Sequence, residues 1–237
     1  MKSNIFKKPI PLSERLKWSR NRSFAFTLAE VLITLTIIGV VAAMTIPQLM
    51  QSVQDYQWKQ AWKKEYSVIN QAYNQMKYDN GGTISEWTSR AQGSYTPNDP
   101  FLVAFSNHFS LSQNNLGGSA GQNLSYKTMS GQSVNTNNLI YGNFVLNDGA
   151  RLLFRTFNSP NFQIWVDVDG YGKGPNTLGK DLFIAVINDT KIVPLGASGT
   201  NADNTCNNTP NSITPCCGFH APGDFSGAGC SAEYLYK

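Results

Sequence analysis

The sequence predicts an α+β fold in which one long N-terminal α-helix packs on an antiparallel β-sheet. Three observations point to it. Residues 31–54 form a run of 24 without a charged side chain, and the helical pattern continues beyond it to about Tyr78. From residue 139 the pattern changes to short segments rich in β-branched and aromatic residues, bounded by turn residues. These segments succeed one another too closely for crossover helices, so the sheet they form is antiparallel.

Charge is distributed unevenly along the 237 residues. The formal net charge is +4, and charged residues make up 14% of the chain, against roughly 25% in ordinary soluble proteins. Residues 1–25 carry seven basic side chains and one acid, Glu14, whereas residues 26–237 carry a net charge of −2. The basic balance therefore belongs to a short leader. General nucleic-acid binding, which needs Lys and Arg on the folded surface, is not expected.

The first element is the apolar helix. Phe26 to Ile46 comprises 21 residues, which at about 1.5 Å per residue span roughly 30 Å, the hydrocarbon thickness of a bilayer. One acid, Glu30, stands near its start, where a carboxylate is costly unless it is paired. Pro47 lacks an N–H and is expected to kink or locally melt the helix. The basic leader keeps residues 1–25 cytoplasmic and places the chain beyond Ile46 outside.

The string Arg22-Ser-Phe-Ala25, with Phe26-Thr-Leu-Ala-Glu30 and the apolar run after it, resembles the prepilin signal of type IV pilins and type II secretion pseudopilins. The family usually has Gly where this chain has Ala25. The resemblance implies removal of the leader between Ala25 and Phe26 by a prepilin peptidase, with methylation of the new amine. It also implies insertion in the inner membrane and polymerisation through the helix, with copies of the chain, other pilin-like subunits and a membrane assembly platform as partners. Glu30 would then pair with the Phe26 amine of a neighbouring subunit, each buried charge finding its partner on assembly. Pro47 falls where many pilins have a helix-bending proline.

The second half of the helix is polar. Trp58, Trp62, Ile69, Ala72 and Met76 recur at steps of three and four, with Glu65 filling the one step that is not apolar. This stripe is the face expected to pack on the sheet. Asn80-Gly81-Gly82 ends the helix. The organisation is thus a leader (1–25), a membrane-spanning and assembly half (26–47), an extracytoplasmic half (48–80), a globular domain (81–200) and a cysteine-containing tail (201–237).

Within the domain, Asp99 is expected to start a short helix over Pro100–Phe109. Residues 112–138, rich in Gly, Ser, Asn and Gln, read as a long surface loop. Strands are expected at 139–146, 151–157, 162–168 and 182–187, with a further edge strand at 191–194. Asn147-Asp148-Gly149 supplies a hairpin turn.

Two segments carry candidate chemistry. Between the last two main strands, Asp167, Asp169, Asn176 and Asp181 stand in a glycine-rich stretch, and they offer hard oxygen ligands of the kind calcium takes. The alternative is a tight connection in which these side chains cap their own backbone. The segment also resembles the calcium-holding loop of major pseudopilins. The four cysteines, Cys206, Cys216, Cys217 and Cys230, all lie late in the chain. An extracytoplasmic location favours disulfides, with Cys206 paired to one of the adjacent cysteines and Cys230 to the other. A zinc site with His220 is the rival. No Ser-His-Asp set or phosphate-binding glycine motif is present, so the function expected is structural and not enzymatic. The alternative function is a membrane-tethered binding module, such as a tip adhesin or a DNA-uptake subunit.

Overall fold

The computed structural model describes residues 26–84, 99–116, 124–134, 142–157, 161–197, 217 and 227–236. Two compact units divide between Leu49 and Met50. Helix α1, Leu28–Asp79, belongs to both.

In the first unit the helix is apolar and almost wholly exposed, with Leu32, Ile33, Leu35, Ile37, Ile38 and Val40 all more than half open. Its threonines do not spoil it for an apolar medium. Thr34, Thr36 and Thr45 each donate their hydroxyl to the backbone carbonyl four residues earlier, at 2.7–3.0 Å, which removes the cost of an unpaired hydroxyl. Of the two effects expected at Pro47, a kink or a local melting, the helix does not melt, because α1 is helical on both sides of the ring and through it. Proline removes one hydrogen bond, and the intact bonds of the adjoining turns hold the backbone.

In the second unit the rest of α1 lies on an antiparallel sheet of six strands. They are β1 (Leu111–Asn115), β4 (Gly142–Leu146), β5 (Arg151–Phe157), β6 (Asn161–Asp167), β7 (Leu182–Ile187) and β8 (Ile192–Pro194), in the spatial order β1-β4-β5-β6-β7-β8. Strands β2 (Tyr126–Lys127) and β3 (Ser133–Val134) form a separate two-stranded ribbon. Residues of alternate parity face opposite sides of the sheet, as the pleat requires. Phe144, Leu152, Phe154, Phe162, Ile164, Val166, Phe183 and Ala185 share one core with Trp62, Ile69, Tyr73 and Met76 of α1. Helix α2, Pro100–Ser106, adds Phe101 and Phe105 to that core and is capped by Asp99, whose carboxylate accepts from Phe101 N at 2.9 Å. On the other face Leu153, Trp165, Ile184 and Val186 pack with Tyr126, Leu178 and Ala228.

One expectation needs correcting. The supposed loop over 112–138 contains most of β1 and the whole β2–β3 ribbon. Strand β1 is polar and mostly exposed, and it owes its form to its pairing with β4. In the tail, Cys230–Tyr236 form helix α3 with Cys230, Ser231 and Ala232 buried. Ser231 Oγ accepts from Ile184 N at 2.8 Å, and Ser231 O accepts from Trp62 Nε1 at 2.8 Å. One serine thus fastens α3 to both the sheet and α1.

Candidate functional sites: the helix start and the acidic loop

The start of α1 is a reciprocal cap. Thr27 precedes the helix and Glu30 is its third residue. Glu30 Oε2 accepts from Thr27 N at 2.8 Å and from Thr27 Oγ1 at 3.0 Å, while Glu30 N donates to Thr27 Oγ1 at 3.2 Å. The Thr-x-x-Glu spacing is the capping-box pattern, in which two otherwise orphaned backbone donors are satisfied at once. The pattern is legible in the sequence and gives Glu30 a local role that its place in the apolar run does not reveal. Phe26 is 81% exposed. Ala25 lies outside the described residues.

Residues 20–46, which include this cap and the apolar turns after it, match the family model of the prokaryotic N-terminal methylation motif. The chain carries the prepilin-type signature of type IV pilins and pseudopilins. Neither the curated proteins nor the solved structures compared with the chain gave a match. The N-terminal signature is of the kind that pilin-type precursors carry, and the fold is the α+β, pilin-like arrangement of a long helix on an antiparallel sheet. Its first helical half is long and apolar enough to cross a membrane.

The acidic loop joins β6 to β7. Carboxylate oxygens of Asp167, Asp169 and Asp181 all lie within 4.8 Å of one another. Asp167 and Asp181 are fully buried. Asp167 Oδ2 accepts from Tyr126 Oη at 3.0 Å and Oδ1 from Gly170 N at 2.9 Å. Asp181 Oδ2 accepts from Asn176 N at 2.7 Å and Oδ1 from Thr177 N at 2.6 Å. Both acids therefore hold their own loop, as the backbone-capping alternative expects. Two oxygens are left over: Asp169 Oδ1 and Asn176 Oδ1 are buried without a hydrogen-bond partner. Gly174 abuts the carboxylates of Asp169 and Asp181 so closely that a Cβ there would strike both.

Electrostatics make the cluster costly as it stands. Burial, reinforced by the neighbouring Asp181, pushes the Asp167 carboxyl up to about 7. Burial also raises Asp181. The Tyr126 phenol is pushed well above its ordinary range, first by burial and then by Asp167. Sequence reasoning placed the four loop residues but missed Tyr126 and Trp58. Trp58 Nε1 donates to Asp169 Oδ2 at 3.0 Å across 111 residues, a separation that no local pattern reveals.

In the tail, Cys217 and Cys230 are joined in a disulfide. Cys206, Cys216 and His220 lie outside the described residues.

Proposed function

We propose that this chain is a structural subunit of a type IV pilus or a type II secretion-type pseudopilus. In this reading it is inserted once in the inner membrane with its sheet domain in the periplasm. It is cut between Ala25 and Phe26 and polymerised through the apolar helix with copies of itself and other pilin-like subunits. The observation that carries the reading is the methylation motif over residues 20–46, continued by a helix whose apolar side chains are exposed in the single chain. An apolar surface of that extent needs lipid or neighbouring subunits to cover it. Mass spectrometry of the protein from its host membrane tests the cut: a methylated N-terminal Phe26 is expected, and an intact leader would overturn the reading. The Glu30→Ala variant is expected to enter the membrane normally and to form few or no filaments.

The acidic loop is proposed to hold a calcium ion. Three carboxylates with no ion-paired cation among the described residues, two buried oxygens without a hydrogen-bond partner and a glycine cradle fit a hard divalent cation. Asp167, Asp169, Asn176 and Asp181 are the residues that would hold it, and the ion would supply the positive charge that the cluster lacks. Thermal melting of the detergent-purified chain in millimolar calcium against chelator should show a rise with the ion. An unchanged melting temperature counts against the site.

A further inference from the structure

We propose that Trp58 is the positioning residue through which α1 sets the affinity of the acidic loop for its cation, an inference that rests on the calcium reading above. The three acids are not held alike. The loop and Tyr126 supply the donors for Asp167, and the loop's own backbone supplies those for Asp181. Asp169 Oδ2 is held from outside the loop, by the indole N–H of Trp58. An indole N–H is a donor only, so it fixes one carboxylate oxygen and leaves Asp169 Oδ1 buried and free to coordinate. Trp58 is itself buried, and its ring sits at one wall of a groove of about 360 Å³ between α1 and the loop. Gln51, Gln54 and Asp55 line the helix side of that groove, and Lys173, Gly174 and Lys180 line the loop side. Donors that orient a ligating carboxylate typically change metal affinity about 10- to 100-fold when removed. Linkage makes the effect reciprocal: a cation drawing on Asp169 strengthens the tie between loop and helix by the same factor. The ion would then fasten the stretch of α1 around Asp55–Trp62 to the domain.

The test is calcium titration by calorimetry on the full chain in detergent, wild type against Trp58→Phe, which keeps an aromatic ring and removes the donor. The expected result is an affinity about tenfold weaker, with a melting temperature in chelator close to that of the wild type and a smaller rise on adding calcium. Equal affinities overturn the role of Trp58 and leave the cation reading standing. An equal loss of melting temperature with and without calcium, affinity unchanged, marks a merely structural role and also overturns it. A wild-type chain that binds no calcium overturns both. Should Trp58→Phe not fold, hydrogen exchange of the wild-type peptide covering residues 55–62 decides: calcium should slow it, and unchanged exchange overturns the proposal.

Discussion

Glu65 shows how one residue departs from its pattern and what that costs. It occupies the polar step in the apolar stripe of α1, yet it is as buried as its neighbours, at 2% exposure. Its Oε1 meets Lys64 Nζ at 3.2 Å, and its Oε2 has no partner. Lys64 also pairs with Asp148 in the β4–β5 turn. Burial, reinforced by Asp148 and only partly offset by Lys64, pushes the Glu65 carboxyl up to about 7. The folded state therefore holds a proton that the unfolded chain has released, from the ordinary glutamate range up to about pH 7. Stability from this group falls as pH rises through that window and stays low above it. The variant Glu65→Gln is expected to flatten the fall in melting temperature between about pH 5 and 8. Above about pH 7 it should be more stable than wild type by roughly 1 kcal/mol, a figure reduced for screening and for the lost pairing with Lys64. Melting curves of both proteins across that range check it. The sequence shows Glu65 on the buried stripe, but the lack of a partner for Oε2 depends on how the β4–β5 turn comes over it.

Among the elements, those formed by strong local chemistry were the legible ones. Arg151–Phe157 and Leu182–Ile187 are strands both by composition and in the structure: Leu152 and Phe154 are buried on one face of the sheet and Leu153 on the other, and every residue of Leu182–Ile187 is buried. Helix α1 was likewise readable from its apolar run, its stripe and its glycine stop. Strand β1 was not, since Ser-Gln-Asn-Asn has no strand signature and only its pairing with β4 makes it extended. Helix α3 hides behind a stretch rich in Gly, Pro and Asn, and its signal is the short Ser231-Ala232-Glu233-Tyr234-Leu235 run. Its anchoring is long-range: Ser231 to Ile184 and Trp62, and Lys59 over the Tyr234 ring at 4.3 Å. The Cys217–Cys230 disulfide joins residues 13 apart, for which chain entropy suggests about 3 kcal/mol of stabilisation. The paired substitution Cys217→Ser with Cys230→Ser should lower the melting temperature markedly, and reductant should lower the wild type in the same direction. Equal melting of the two proteins would mean that Ser231 and the ring contacts hold α3 unaided.

For the whole molecule, the division between Leu49 and Met50 separates two kinds of stability. No residue between Phe26 and Leu49 is buried, so this half of the helix contributes nothing to the core of the sheet domain. Every core position on α1, from Trp58 to Met76, lies on the other side of the division. A fragment starting at Met50 is therefore expected to stay soluble without detergent and to melt in one cooperative transition at nearly the temperature of the full chain. Differential scanning calorimetry of both would check this, and a fragment that fails to melt cooperatively would show that the apolar half supports the fold.

The Thr27–Glu30 cap bears on the energetics of the proposed assembly. A bare carboxylate carried into a bilayer would seize the first cation it met, and the resulting bond would be hard to undo. Glu30 instead arrives with two short-range donors already in hand. In the proposed filament a neighbour's amine would compete with them, so docking would trade one satisfied state for another and gain only the difference. A joint built on such a difference could be made and unmade, which would suit the proposed passage of the subunit from the bilayer into a fibre.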